Sequence, residues 1–326
     1  MGAMAHPDDE FHPPATDDPY WTETCWFTFT VPERKLSGQL YPFFRPNQGV
    51  TSGGAYFWDA EPAPYGNSQP WNIRYGKNFW HLPIPDQPLS DIALANGIRY
   101  RCLEDQSVYQ IGYVDPDPTD GQAPDIEVEL LFTAVAAPNY LSGSHLDQPG
   151  RYTGTIALEG ETIVVDSFGF RDRSWGVRPQ FGLGLAGSPA MRGGYSYATA
   201  SERDGWHAIT MSFSDGLSDA ESECIGIHGD VVRDGTWAKL AAGRRTVLER
   251  CADTGAPTHV ALDITDELGR ELHAEGRGHN KLGVHLNPNL FTWNCLTEWT
   301  FDGITAWGED HDNWSATAAR RFFRRV

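Results

Sequence analysis

The chain of 326 residues is long enough for two domains of ordinary size or for one large β architecture. Its 34 glycines and 22 prolines suit turn-rich sheets better than helices, and the composition excludes collagen, coiled coils, disorder and membrane spans. The net charge of −19 would repel phosphate backbones and anionic lipids, so we expect neither nucleic acid nor a membrane as a partner.

The cysteines and the N-terminus indicate a cytoplasmic protein. The five cysteines are odd in number and widely spaced, without a CxxC pair, which predicts reduced, mostly buried thiols and argues against disulfides or structural zinc. The first residues are polar and acidic and lack the apolar stretch of a secretory signal. We interpret the residues before a natural start at Met4 as an expression-tag remnant, and residues 1–19 as this remnant and a flexible segment before the fold.

A period of two dominates the first half of the chain. Residues 22–31 alternate two sets of side chains with high β propensity, which predicts a strand. Residues 152–158 and 161–165 give the clearest hairpin signal, with Gly160 in the turn. Residues 89–95 carry a short helical pattern, whereas residues 42–54 and 62–88 are rich in Pro and Asn and are predicted loops. Further strands are predicted at residues 54–58, 98–103, 107–114 and 126–135.

The second half continues the same pattern up to residues 316–325, which form either a terminal helix or a last strand. Strands at this spacing, separated by turn residues, are typical of sandwiches and barrels. A Gly-rich link at residues 177–193 predicts an N-terminal β domain at 20–178 and a C-terminal β domain at 179–326. Strands are predicted at residues 194–200, 206–213, 222–228, 238–240, 247–250, 259–264, 271–276, 291–301 and 305–309.

Two patterns in the sequence contain residues of the kinds that bind cofactors or metals. Residues 182–187 match GxGxxG, but no helix pattern follows whose N-terminus could meet a pyrophosphate. His273, His279 and His285 offer metal ligands, as does the acidic cluster at residues 309–312, but neither spacing belongs to a known coordination geometry. We therefore predict neither a metal nor any other cofactor.

One segment, DSFGFRDRSWGVR at residues 166–178, interleaves arginines and aspartates with aromatic residues directly after the hairpin. On a strand, Asp172 and Ser174 would face one side, and Arg171, Arg173 and Trp175 the other. Buried charges are tolerated only in paired networks, so one interpretation is a structural clamp that ties two barrels together. The clamp would consist of Arg171, Arg173, Arg178 and Asp166.

The other interpretation of this segment is chemical. Asp172 would lie against apolar walls beside an arginine. Burial would favour the neutral carboxyl and the arginine would favour the carboxylate, so Asp172 could serve as an acid or as a base.

The stretch FGFRDRSWGVR at residues 168–178 resembles the G-x-R-D-x-S-W-G-x-R core of the AttH-like, carotenoid-1,2-hydratase-like (hydroxyneurosporene synthase-like) superfamily. Residues 303–309, GITAWGE, are loosely similar to the G-x-G-x-x-E ending of many members. The resemblance implies an all-β fold of two lipocalin-like antiparallel barrels. The periodicity by itself is also compatible with two β-sandwich domains. Characterised members hydrate carotenoid double bonds or cyclise apolar polyenes without a cofactor, which implies related chemistry at Asp172.

Aromatic residues on predicted strands and long loops could line an apolar cavity and stabilise a cation through their π faces. Alternatively, each of these aromatic residues simply fills the core between two sheets. The residues predicted to bind substrate are Trp80, Trp175, Tyr195, Trp206, Trp293 and Trp307.

These observations give two functional hypotheses. The first is a cofactor-independent lyase or isomerase (a hydratase, dehydratase or cyclase) acting on an apolar isoprenoid- or polyene-like molecule. Asp172 would move the first proton, and His207, Tyr197 or Asp310 would take or relay the second. The second hypothesis is a calyx that carries a lipophilic metabolite without catalysing a reaction. Under either hypothesis the chain could form a homodimer.

Overall fold

The computed structural model describes residues 6–60, 73–120, 125–178, 191–213, 223–287 and 290–324. Within these ranges the chain is almost entirely antiparallel sheet, which confirms the all-β prediction. The described residues divide into two compact units. The first contains those of 1–58 and of 73–178, and the second contains Asp59, Ala60 and those after residue 178.

The first unit is one sheet of eleven strands that curls into a half-barrel. Along the sheet the order is β4-β3-β2-β1-β11-β10-β8-β7-β6-β5, and β9 pairs with β10. The strands are β1 (Trp21–Val31), β2 (Leu36–Arg45), β3 (Val50–Trp58), β4 (Ile73–Pro83), β5 (Asp91–Ala93), β6 (Ile98–Glu104), β7 (Val108–Val114), β8 (Ile126–Ala134), β9 (Asn139–Leu141), β10 (His145–Leu158) and β11 (Glu161–Val177). Its core is rich in aromatic side chains, among them Phe27, Phe57, Tyr109, Phe132 and Tyr152.

The second unit is a closed barrel of eight strands, because β17 pairs with both β16 and β19. A ninth strand, β18, extends the sheet beside β19, and helix α1 follows the last strand. The elements are β12 (Met191–Ser201), β13 (Asp204–Phe213), β14 (Glu223–Arg233), β15 (Thr236–Arg250), β16 (Pro257–Asp266), β17 (Glu271–Gly278), β18 (Leu282–Asn287), β19 (Leu290–Phe301), β20 (Ile304–Ser315) and α1 (Ala316–Phe323). Trp206, Leu262 and Trp299 fill the middle of its core.

The predicted hairpin is confirmed and is longer than the sequence pattern indicated. β10 and β11 turn at Glu159 and Gly160, both with positive φ, and pair from Leu158 with Glu161 to His145 with Ser174. The arginine-rich segment is therefore the continuation of a hairpin strand, and its side chains alternate between two faces.

Three local predictions were wrong. Residues 42–54 are mostly strand, because β2 runs to Arg45 and β3 begins at Val50. Gly53, with φ +108°, permits this close pairing, since a β-carbon there would overlap the carbonyl oxygen of Tyr41. Within the predicted loop at 62–88, residues 73–83 form strand β4. Residues 89–95, predicted to be helical, contain strand β5 with a buried Ile92.

At the C-terminal end the helix alternative is confirmed by α1. The GxGxxG motif and most of the predicted interdomain link lie outside the described residues.

Two arginines of β11 point into the first unit and hold its N-terminal segment. Arg171 donates from Nε to Gln148 Oε1 at 2.6 Å, lies 3.5 Å from Asp9 and stacks over the Tyr109 ring at 4.0 Å. Arg173 donates to Glu23 at 2.8 Å and to two backbone carbonyls of the N-terminal segment. Asp9, in the segment predicted to be flexible, is fully buried. These contacts hold the N-terminal segment against the half-barrel, within one unit.

Replacing Asp9 by Asn should destabilise the protein. Asp9 accepts hydrogen bonds from Tyr109 Oη at 2.7 Å and from the Gln106 amide at 2.9 Å, and it faces the buried Arg171. Removing one partner of a buried ion pair leaves the other charge uncompensated, so Asp9→Asn should lower the free energy of unfolding by about 3 kcal/mol in urea denaturation. The matched control is Asp166→Asn, which breaks an exposed pair with Arg151 and should leave the free energy of unfolding nearly unchanged. Equal losses in the two variants would contradict this account.

A glycine in the second barrel provides a test of strand packing. Gly308 on β20 lies opposite Ala198, and a β-carbon at this position would overlap the carbonyl oxygen of Tyr197. Gly308→Ala should lower the free energy of unfolding by about 2 kcal/mol, because the backbone must shift to relieve the overlap. Gly226→Ala, where a β-carbon meets no atom within 4 Å, is the control and should leave the melting temperature nearly unchanged.

Candidate functional site

The face of β11 opposite the arginines carries Asp172 and Ser174. The register of the hairpin places Asp147 of β10 directly across from Asp172, and His145 across from Ser174. Residues at i and i+2 of a strand share a face, so these side chains project from the same side of the sheet. The predicted alternation of the segment is thus confirmed, and the hairpin adds a histidine and a second carboxylate to Asp172.

His145, Asp147 and Asp172 form a compact group, which we call the His–Asp–Asp cluster. His145 Nε2 lies 3.0 Å from Asp147 Oδ2, and one ligand atom from each of the three residues lies within 4.8 Å of the other two. Asp147 is buried, whereas His145 and Asp172 are half-buried. The cluster thus combines a proton donor, two acceptors and a partly accessible surface.

The protonation of His145 is set by its carboxylate neighbours. Burial by itself lowers the pKa of His145, but the charge of Asp147, its hydrogen bond and the charge of Asp172 raise the pKa to about 9. The imidazole is therefore protonated at neutral pH.

A polar rim lies on the same face next to the cluster. Ser174 Oγ and Thr24 Oγ1 are 2.7 Å apart in a hydrogen bond, and Arg178 donates to Ser174 Oγ. Burial raises the pKa of Tyr41, and the positive charge of Arg178 partly offsets this effect. Tyr41 therefore stays a neutral phenol near the guanidinium.

Aromatic side chains border the same face of the sheet. Trp26 is the strand partner of Asp172 on β1, and its Nε1 donates to Gln39 Oε1 at 3.1 Å. The ring of Phe43 lies 6.3 Å from Tyr41 and 5.9 Å from Trp80. Trp80, one of the predicted substrate-binding residues, is 56% exposed. The His–Asp–Asp cluster thus shares its side of the sheet with several π faces.

Three of the residues predicted in the second unit lie together on one face of its barrel. The ring of Tyr195 is 4.6 Å from His207 and 5.5 Å from His311. Tyr197 Oη donates to Glu309 Oε2 at 3.1 Å, and His311 Nε2 lies 3.3 Å from the same oxygen. This buried group contains Tyr195, Tyr197 and His207, whereas Asp172 belongs to the first unit.

Asp310, the remaining predicted catalytic residue, projects from the opposite face of β20 into an ion-pair network. Arg245 binds its carboxylate through two nitrogens at 2.8 and 2.6 Å, and Ser196 Oγ donates to it at 2.7 Å. Asp312 joins the network through Arg245 and Arg250, and these arginines hold the pKa of Asp312 far below its usual range despite burial. A carboxylate saturated by a bidentate arginine is suited to a structural role in the barrel.

The other predicted residues occupy several environments. Trp206 packs edge-on against Trp299 at 4.7 Å in the core of the second barrel. Asp166, predicted as part of the clamp, lies on the surface in a pair with Arg151, away from the buried arginines. The remaining ring contacts are Trp175 on His12 at 3.8 Å, Trp293 with Phe291 at 5.3 Å and Trp307 with His279 at 4.9 Å.

The sequence analysis missed His145, Asp147, Glu309 and His311 as members of these groups. A signal for the first pair was present, because the pattern H-x-D on a strand puts both side chains on one face. If the strand pairing of the hairpin is extended from the turn at Gly160, His145 and Asp147 fall next to Asp172. Glu309 and His311 were noted only as an acidic cluster, because nothing local indicates which face of β20 lines the barrel.

Two groups among the described residues have the composition and spacing of metal ligands. One is the His–Asp–Asp cluster, and the other consists of Asp9, Cys102 and Asp105. Asp9 is already bound by Arg171, Tyr109 and Gln106, so the first group is the more open of the two.

Replacing Asp147 by Asn should release the proton of His145 at a lower pH. The charge of Asp147 is the largest of the influences that raise the pKa of His145 against burial, so in Asp147→Asn the pKa should fall clearly below about 9. The measurement is an NMR titration of the His145 ring in protein labelled at histidine. Asp166→Asn, on the same face of β11 but exposed, should leave this titration unchanged. A His145 pKa that stays near 9 in Asp147→Asn would contradict the assignment.

None of the helices in the described part of the chain has the length and apolar character required to cross a membrane. A comparison with curated proteins finds no match to this chain.

Solved structures share its fold over nearly the whole length. A crystal structure described as AttH from Nitrosomonas europaea matches with a TM-score of 0.58 and 14% identity, covering 93% of this chain and 95% of that chain. Kievitone hydratase from Nectria haematococca matches with a TM-score of 0.54 and 10% identity, covering 91% and 90%. CghA in complex with Sch210972 matches with a TM-score of 0.52 and 12% identity, covering 92% and 89%. These matches confirm the two-domain lipocalin-like fold that the sequence resemblance implied.

A family model matches residues 6–315, almost the entire chain. On this match the chain belongs to the family described as a domain of unknown function, DUF7064.

Proposed function

We propose that the chain is a lyase or isomerase of the hydratase type that uses its own side chains to move protons on an apolar, unsaturated small molecule. The observation that carries the proposal is the His–Asp–Asp cluster, in which a protonated imidazole lies beside two carboxylates on an aromatic-bordered face. The name of one structural neighbour, kievitone hydratase, supports the reaction class.

In the proposed reaction, His145 is the general acid. Its Nε2–H donates to Asp147, which orients the ring, and the N–H at Nδ1 would donate to a substrate double bond. The N–H bond breaks and a C–H bond forms from the π electrons, leaving a cation on the neighbouring carbon. The π faces of Trp26 and Trp80 on this side of the sheet would stabilise that cation.

Asp172 is the proposed general base. In hydration, a water molecule adds to the cationic carbon and gives a proton to the Asp172 carboxylate, and this proton then returns to His145 within the cluster. In isomerisation, Asp172 would instead take the proton from a carbon of the cation. Dehydration is the reverse of the first sequence, so the same groups serve each reaction.

The assignment of acid and base differs from the sequence hypothesis, in which Asp172 moved the first proton. A histidine with a pKa of about 9 holds its proton at neutral pH, so it is the better donor of the two groups. His207 and Tyr197, in the second unit, have no assigned step in this proposal.

The first experiment incubates the purified full chain in H₂¹⁸O with a panel of terpenoid alkenes, allylic alcohols and polyenes, followed by liquid chromatography and mass spectrometry. A labelled water gained, a water lost, or an unchanged mass at a new retention time would support the proposal. Compounds that co-purify with the protein but always return unchanged would overturn it in favour of a carrier.

With a substrate in hand, Asp172→Asn and His145→Gln should each lower kcat by about 10²–10⁴-fold, because each removes one proton-transfer group. The control is Asp166→Asn, with folding of all variants checked by circular dichroism. Since the acid must be protonated, kcat/KM of the wild type should be retained at neutral pH and fall as the pH rises through about 9. Full activity of folded Asp172→Asn would contradict the mechanism.

A further inference from the structure

An arginine at the end of β11 lies on the same face of the sheet as the His–Asp–Asp cluster. Asp172, Ser174 and Arg178 alternate with the inward-pointing arginines, so they share the outer face of the strand. Arg178 directly follows β11, and its backbone N–H donates to the Tyr20 carbonyl at 2.9 Å. Its side chain reaches back along the strand and donates to Ser174 Oγ. The proposed reaction assigns no step to this arginine.

The guanidinium of Arg178 is held by hydroxyl groups. Its acceptor Ser174 and the neighbouring Thr24 are buried and share a hydrogen bond of 2.7 Å, and the phenol of Tyr41 forms hydrogen bonds with Arg178 and Thr24. Among the described residues, no carboxylate lies within ion-pair distance of this guanidinium. The two buried arginines of β11, in contrast, each have a carboxylate partner. Arg178 is also exposed, so its charge is accessible to a bound molecule.

This arrangement of donors is suited to the two oxygens of a carboxylate. A guanidinium has five N–H donors in a planar fork, which matches the geometry of a carboxylate. The Tyr41 hydroxyl lies beside the fork and can donate to the same group. A few polar groups that converge in mostly apolar surroundings typically fix the orientation of a small molecule.

The charges on this face favour a carboxylate over a phosphate. Asp147 and Asp172 already place two negative charges there, opposite the positive charges of His145 and Arg178. A carboxylate adds one negative charge, which the guanidinium can offset. A phosphate monoester carries about −1.5 to −2 charges at neutral pH, and part of this charge would face the carboxylates without compensation.

The spacing along β11 separates this group from the reacting carbons. Residues two apart on a strand lie about 6.7 Å from each other, so Ser174 and the Arg178 guanidinium lie roughly that far from Asp172. A chain of several carbon atoms spans this separation. A molecule bound to Arg178 by a terminal carboxylate could therefore place a distant double bond at the cluster.

We propose that Arg178, together with Tyr41 and Ser174, binds a carboxylate of the substrate. The substrate is then an unsaturated acid that is apolar apart from this one group, with its double bond several carbons away. The inference rests on the proposed function, because it names the class of molecule on which the His–Asp–Asp cluster would act.

The test measures binding to the purified full chain by calorimetry at neutral pH. The ligands are citronellic acid, its methyl ester, citronellol and citronellyl phosphate, which share one chain with a remote double bond. The acid should bind at least about tenfold more tightly than the ester or the alcohol, because hydrogen bonds to charged groups are the stronger ones. Arg178→Gln should abolish this preference, and Arg178→Lys should keep part of it, since lysine retains the charge but not the fork.

The matched control is Arg151→Gln, which removes an exposed arginine of the same unit and should keep the preference for the acid. Circular dichroism and thermal unfolding check the fold of each variant. If Arg178→Gln does not fold, Tyr41→Phe takes its place, and loss of the phenol should narrow the preference by about threefold or more.

Several results would overturn the inference. One is equal affinity for the acid and its ester in the wild type, or no binding of the acid. Another is a preference for the acid that persists in folded Arg178→Gln, or that Tyr41→Phe leaves unchanged where it is the deciding variant. A third is tighter binding of the phosphate than of the acid.

The carboxylate site and the proton-transfer proposal can fail separately. Incubation of the acid and its ester in H₂¹⁸O supplies the second readout. A preference for the acid that depends on Arg178, without any turnover, would support the carboxylate site in a carrier and count against proton transfer. Turnover of the ester with the same kcat/KM as the acid would support proton transfer and overturn the carboxylate site.

Discussion

A charge buried in a sheet must be paired, and the first unit meets this requirement on both faces of one strand. On the inner face of β11, Arg171 and Arg173 are fully buried and are compensated by Asp9 and Glu23. The cost of removing these guanidinium groups from water is offset for Arg171 by Asp9 of the N-terminal segment, and for Arg173 by Glu23 of β1 together with two carbonyls of that segment. The arginines therefore tie the chain terminus to the strand that also carries Asp172.

The opposite face of β11 follows from the same alternation. Because Arg171 and Arg173 point inward, Asp172 and Ser174 must point outward, and the hairpin register then fixes which side chains they meet. A shift of one residue in that register would exchange the faces and bury the carboxylate among apolar side chains. The ion pairs of the inner face thus also protect the geometry of the outer face.

The sequence contained most of the fold, because alternation and turn residues are local signals. The hairpin around Gly160 was predictable on those grounds, as was the run of strands in the second half. The predictions for residues 42–54 and 89–95 were wrong because proline, asparagine and a short apolar pattern were read without their strand partners. Strand β5 forms only because Ile92 pairs with Tyr100 and is buried there, which no local pattern reveals.

The site was less predictable, because its members meet only through long-range pairing. Asp172 was singled out by its own surroundings in the sequence, whereas His145 and Asp147 lie more than twenty residues away and match no motif. The roles of residues on β20 were equally hard to predict, because successive side chains point to opposite faces of the strand. Glu309 and His311 meet Tyr195 and Tyr197 on one face, while Asp310 meets Arg245 on the other.

The charges of the His–Asp–Asp cluster favour cationic over anionic intermediates. In the proposed reaction, the positive charge would begin on His145, beside two carboxylates that are already in position. It would move with the proton to a substrate double bond, while the carboxylates would not need to reorganise. An enolate or other oxyanion at the same place would face these carboxylates unfavourably. Under the proposed function, the electrostatics of the cluster would therefore favour protonation of an electron-rich double bond over abstraction of a proton next to a carbonyl group.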